Sequence, residues 1–220
     1  MAAARPRIAE GHDPMNDPDP GGPTAFRGAV AALEAARPRR EVRLSTMPPP
    51  RRPAPFAHAM AASVLLPTEP GTPEEDHEVA DGRFVLLHDP AGQEGWNGPF
   101  RVVTLTRAEL EPELATDPLL PEVAWSWLLE ALEARAPGSE EPSGTVTRSG
   151  SYFFGGLADR SPRVEIELRA SWSPADSWEP AEHLLAWCAV LAQCAGLPPE
   201  PGGMAGVTAL PRRRGPRSGR

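Results

Sequence analysis

Residues 81–135 read DGRFVLLHDPAGQEGWNGPFRVVTLTRAELEPELATDPLLPEVAWSWLLEALEAR, and the parsing of this stretch decides the fold. Arg83–His88 is a short apolar run bounded by Gly82 and Pro90, as a strand would be. DPAGQEGWNG follows, with the Asp, Asn and Gly content of an extended hairpin connection. The chain returns as FRVVTLTR, Phe100–Arg107, with Val103 and Leu105 sharing a face with Arg101 and Arg107, while Phe100 and Val102 share the other with Thr104 and Thr106. Sequential strands tend to pair, so a hairpin is the economical reading. Residues 107–115 predict a helical turn or two. Asp117–Pro118 then offers a cap followed by proline at the first helical position. In the helix beyond, Glu122, Ser126, Glu130 and Glu133 make one polar stripe and apolar residues cover the remaining circumference. A helix with that pattern is expected to be covered on more than one side, by the sheet and by another element or a second subunit.

Toward the C-terminus, after the loop APGSEEPSG, Thr145–Phe154 is rich in β-branched and aromatic residues, and strand packing is the expected role of Tyr152, Phe153 and Phe154. Arg163–Trp172 alternates without a fault: Val164, Ile166, Leu168, Ala170 and Trp172 on one side, Arg163, Glu165, Glu167, Arg169 and Ser171 on the other. That is an antiparallel strand with one wet face. GLADRSP between the two has hairpin turn chemistry. Pro180 opens and Gly196 closes a last apolar helix. Cys188 and Cys194 sit six apart on it, facing different ways, and are read as buried, unpaired thiols.

Toward the N-terminus, Phe56, His58, Met60, Ala62 and Val64 alternate through FAHAMAASVL; the alanines favour helix, and the alternation favours the strand adopted here. PTEPGTPEEDHE reads as an acidic loop. Residues 38–55, with MPPPRRPAP, read as a Pro/Arg-rich linker of polyproline character. Before it, Thr24 looks like the N-cap of a short helix whose Phe26, Val30 and Leu33 form one stripe. The expected architecture is α+β: an antiparallel sheet of about five strands with helices packed on it, in the order α-β-β-β-α-β-β-α. Residues 24–196 form its single domain, between a disordered segment at 1–23 and a disordered Arg-rich tail at 197–220.

Composition supports tails around a core. The chain has 29 Pro and 20 Gly, but also six Trp and six Phe. Its net charge of −8 is unevenly spread. Residues 1–53 hold nine Arg against six acids, residues 54–210 hold eight Arg against 24, and residues 211–220 hold five Arg and no acid. Nucleic-acid association is therefore expected only through the Arg-rich ends, because phosphate contact needs a positive surface. There is no Lys at all, which excludes a P-loop lysine, a Schiff base and a Ser–Lys dyad. No apolar run reaches signal-peptide or membrane-spanning length, so a cytoplasmic location is expected, without a membrane partner.

Several stretches carry a resemblance: FRGAVAAL, LLHDPAGQEGW, FRVVTLTRAELEPELATDPLLPEVAWSWL, EPSGTVTRSGSYFFGGLADR, EIELRASW, HLLAWCAVLAQCAGLPP and VTALPRRRGP. Together they resemble an uncharacterised actinobacterial family known only as domain of unknown function 3000, over most of the chain from Phe26 onward. The resemblance implies no activity. Element order alone is similar to that of type III secretion chaperones and the small YbjN-like proteins, which implies a dimeric binder or adaptor and carries over no residue.

Chemistry is sparse. His88 and Asp89, with Glu94 nearby and His58 and His77 upstream, have metal-ligand types but no metal-binding spacing; Asp89 starting a turn and His88 ending a strand account for them. No G-x-S-x-G or G-x-G-x-x-G is present, and ELEPELATD reads as a solvated acidic turn. No cofactor is expected. Trp96 has no periodic reason to be buried: it either folds back over the core or stands out as an anchor for a partner. The leading expectation is a non-enzymatic adaptor or chaperone-like protein that binds another polypeptide, as a homodimer, through His88, Asp89, Glu94 and Trp96. The alternative is a small-ligand binder or enzyme using the His88/Asp89 loop.

Overall fold

The computed structural model of the chain describes residues 22–51, 53–67 and 77–199. The two segments read as disordered fall largely outside these residues, as does most of the acidic loop before His77. Six strands form one antiparallel sheet: β1 (Val42–Met47), β2 (Phe56–Leu66), β3 (His77–His88), β4 (Phe100–Glu109), β5 (Glu140–Ser151) and β6 (Arg163–Ser173). Their spatial order is β1-β2-β3-β4-β6-β5. The first four are a meander; β5 takes the far edge, and β6 returns between it and β4. Four helices join them: α1 (Thr24–Ala35), α2 (Pro112–Ala115), α3 (Leu120–Arg135) and α4 (Pro180–Cys194). α4 lies over β2, β3 and β4, with α1 against one side of it and α3 against the other. The α+β class and its segregated layers follow the sequence pattern.

The core sits between that helical layer and one face of the sheet. Period-two alternation puts Met60, Ala62, Val64, Phe84, Leu86, Val102, Ile166, Leu168, Ala170 and Trp172 there, all buried. On β4 it is the face with Thr104 and Thr106 that turns inward, leaving Val103 and Leu105 outside. The buried hydroxyls have partners: Trp187 Nε1 donates to Thr106 Oγ1 at 2.9 Å, and Thr104 Oγ1 donates to the Ala170 carbonyl at 3.4 Å. Trp187→Phe leaves the Thr106 hydroxyl buried without its donor and is expected to cost about 1–2 kcal/mol in urea unfolding. Thr106→Val combined with Trp187→Phe should restore part of that loss, a non-additivity that a double-mutant cycle measures.

Two strand glycines make room for indoles. A Cβ on Gly82 would lie 2.5 Å from the Leu105 carbonyl oxygen and 2.6 Å from Trp187 Cζ2. A Cβ on Gly144 of β5 would lie 2.8 Å from Trp125 Cζ3 and overlap the Arg169 carbonyl oxygen. Each helix is thereby seated on the sheet by a tryptophan laid where a strand has no side chain.

The structure departs from the sequence expectations at several points. β1 lies inside the segment read as a linker and supplies the sixth strand; its Val42 and Leu44 alternate, but prolines on both sides hid so short a run. Residues 140–144 extend β5 where a loop was expected, and β5 stops at Ser151. Phe154 consequently stands outside the sheet, 80% exposed, and Tyr152, 69% exposed, lays only one edge of its ring over Gly150 of β5. Thr24 lies inside α1, preceded by Pro23, and its hydroxyl accepts from Arg27 instead of capping. α3 begins at Leu120, so Asp117 and Pro118 form the turn before it, where Asp117 Oδ1 accepts from the Leu119 amide at 2.8 Å. α3 is covered less completely than expected. Leu120, Ala124, Leu128 and Leu132 form its one fully buried stripe, while Val123 and Leu129 reach solvent.

Candidate functional site

The loop at 89–98 is a constrained hairpin connection. Asp89 N donates to the Pro99 carbonyl at 2.9 Å, closing it. The Asp89 carboxylate then accepts from the Ala91 amide at 3.0 Å and from Gln93 Nε2 at 3.1 Å, which is the turn-starting role that its residue type suits. Gly92 and Gly98 adopt φ of 71° and 114°, left-handed values that a side chain would strain. At the far end Asn97 ties the loop down: its amide donates to Ser173 Oγ at 3.1 Å, and its side chain reaches the Glu140 carboxylate.

The four candidate residues lie in different surroundings. His88 points into the helical layer, where its ring stacks on Phe100 at 4.2 Å between centroids and on Phe26 at 5.8 Å. Its Nδ1 donates to the Pro99 carbonyl at 3.1 Å, and its buried Nε2 has no hydrogen-bond partner. Burial lowers the His88 pKa, so the ring is neutral at physiological pH. Asp89 is occupied in its turn, Glu94 is exposed, and Trp96 is half-buried outside the core cluster. His88 and Asp89 thus serve different layers, and among the described residues no three His, Cys, Asp or Glu side chains come together as a metal site. Rings continue from Phe100 to Trp178 at 5.0 Å and from Trp178 to His183 at 5.3 Å. There Trp172 Nε1 donates to His183 Nδ1 at 2.9 Å.

Two hollows have a different character. One of about 620 Å³ lies between α3 and α4, walled by Trp127, Ala131, Leu185 and Cys188, with Arg39 and Glu130 at its rim. Burial pushes the Cys188 thiol up to about 12, so it stays protonated and is no nucleophile at neutral pH. Cys194 is likewise a buried free thiol, raised to about 12.

The other, about 420 Å³, is on the face of the sheet that no helix among the described residues covers. Val85, Val103 and Leu105 form its floor, Arg83 and Arg169 stand over it, and Ser143, Thr145 and Ser171 supply hydroxyls. No carboxylate lines it, although Glu167, outside the lining, accepts from Arg169 Nε at 2.7 Å. Val103 is 37% exposed. Next to it Arg101 is buried on the same face, with its guanidinium donating to Ser171 Oγ at 2.9 Å and Ser173 Oγ at 3.1 Å. Sequence reading missed this hollow. The alternation of β4 was visible, but both of its faces mix apolar and polar residues, and the pattern alone does not say which is buried.

A family model spans residues 22–206, all of the sheet and its helices, and it is described as a protein of unknown function. The chain belongs to DUF3000. The DUF3000 match covers both hollows and the 89–98 loop, and it assigns no activity to any of them. No curated protein and no solved structure matches the chain. No helix among the described residues is long and apolar enough to cross a membrane.

Proposed function

We propose that this protein is a non-enzymatic adaptor that binds an extended segment of another polypeptide across the open face of its sheet. One observation carries the reading: an apolar floor, Val85, Val103 and Leu105, lies uncovered beneath Arg83 and Arg169. Exposed apolar side chains ringed by polar groups are a recurring feature of protein-interaction surfaces. Arg83, with the part of the Arg169 guanidinium that its bond to Glu167 at 2.7 Å leaves open, favours a segment that carries both apolar side chains and acids. The hydroxyls of Ser143, Thr145 and Ser171 can pair with main-chain groups of such a segment.

The test uses fluorescence anisotropy with two labelled decapeptides, one alternating Leu with Glu and one alternating Leu with Lys. The acidic peptide should bind, more weakly as salt is raised, and the basic one should not. Val103→Glu should abolish binding and leave the thermal midpoint within about 2 °C, since the site is a partly exposed one. Equal binding of the two peptides, or binding that survives Val103→Glu, would overturn the reading. The alternative of nucleic-acid association through the Arg-rich ends concerns residues 1–53 and 211–220, of which 1–21, 52 and 211–220 lie outside the described residues.

A further inference from the structure

We propose that two copies of this chain pair antiparallel through their β5 edges, joining their sheets into one, with the two-fold axis at Thr147. The two edges of the sheet differ in how they are protected. β1 is six residues long, carries Arg43, and is flanked by Arg39, Arg40 and Glu41 and by the prolines after Met47. Charge, brevity and proline are the usual means of keeping an edge from pairing. β5 is 12 residues long and almost wholly exposed. From Ser143 to Ser151 it reads SGTVTRSGS, with no proline, no acid and a single charge, Arg148, whose Nη1 donates to the Asp117 carbonyl of its own chain at 2.7 Å. In a body this acidic, β5 is the edge along which a second copy approaches with least repulsion.

The ends of β5 complement one another. Beyond its C-terminal end the exposed Phe154 and Leu157 project beside the exposed Tyr152, whose ring edge lies over Gly150, with Arg160 placed over the Phe153 ring at 5.8 Å. Beside its N-terminal end is a hollow of about 260 Å³ lined by Leu129, Leu132, Ala136, Pro137 and Pro142, next to Glu140 and Glu141. Thr147 is the middle of the stretch that pairs regularly with β6, Ser143 to Ser151. A two-fold there sets Ser143 of one copy opposite Ser151 of the other. It brings each aromatic tip to its partner's hollow and Arg160 toward the acids. One operation thus covers three of the exposed large apolar residues and Leu129 together, as an isologous interface must. The two-fold is normal to the sheet, so the helical layers stay on one side and the two open faces on the other.

Sedimentation velocity on the full chain should show a dimer at about 50 μM. Thr147→Lys sets two ammonium groups opposite one another at the axis and should weaken association about 100-fold or more, with the far-UV spectrum unchanged. Phe154→Ser should weaken it without touching the strand. Independently of folding in those variants, Thr147→Cys should give a disulfide-linked dimer on mild oxidation, because residues facing each other across an antiparallel pair have Cα atoms about 5 Å apart. Thr145→Cys should not, its copies lying about 13 Å apart along the strands. A monomer at about 100 μM, a dimer indifferent to Thr147→Lys, or equal crosslinking at positions 145 and 147 would overturn the proposal.

Discussion

Gly82→Ala is expected to cost about 3 kcal/mol and to lower the thermal midpoint by about 10 °C, the effect of forcing a methyl into a filled core. The added carbon would meet the Leu105 carbonyl oxygen and the Trp187 ring, both inside van der Waals contact. Neither can retreat cheaply. Moving Leu105 breaks the β3–β4 ladder, and turning Trp187 breaks its bond to Thr106. Gly144→Ala should be milder despite equally close contacts, because an edge strand shifts more easily than a central one. Differential scanning calorimetry on the two variants decides it; equal midpoints would mean that the close approach of Trp187 contributes nothing special.

Acid should destabilise the fold well above the pH at which its carboxylates protonate. Burial holds the His183 pKa down at about 4, against 6.5 for the free side chain. Protonation would also set an N–H on Nδ1 against the Trp172 indole N–H, ending the hydrogen bond between them. The folded state therefore binds fewer protons than the unfolded state between pH 6.5 and pH 4. Stability contributed by neutral His183 is complete above pH 6.5 and is lost as pH falls toward 4, about 3 kcal/mol in all. His58 and His88, whose pKa values burial also lowers, add to the slope with the same sign. Urea unfolding across this range should show midpoints falling with pH, and His183→Gln should flatten the dependence. A variant that keeps the wild-type slope would remove His183 as its source.

What could be read from the sequence was whatever repeats locally. The alternation of Val164 to Trp172 and the terminators Pro180 and Gly196 assign β6 and α4 without any tertiary information, and β2 yields to the same argument. β1 is too short for its alternation to outweigh the prolines around it. Tyr152 and Phe154 were misread because aromatic residues favour strands, and nothing local reveals that the strand has already ended. Pairs joined only by folding, such as Gly82 with Trp187, leave no trace in a linear pattern. For the candidate site the loop residues could be picked out, but not their orientations. The hollow on the open face is assembled from β3, β4, β5 and β6, so no single stretch could announce it.

The placement of β6 between β4 and β5 has a consequence for how the molecule is made. β1 to β4 pair through neighbouring turns and can form while the chain is still emerging. Their helix-facing side chains, among them Phe84 and Leu86, remain without the cover of α4, which begins only at Pro180, long after β4 ends at Glu109. β4 meets β6 in the register Val102 with Trp172, a long-range pairing whose closure entropy slows folding. A nascent chain halted after residue 135 would carry a finished meander with a bare apolar side, the form in which a partly made protein most readily aggregates. Refolding of the intact chain should then be limited by the arrival of its last third.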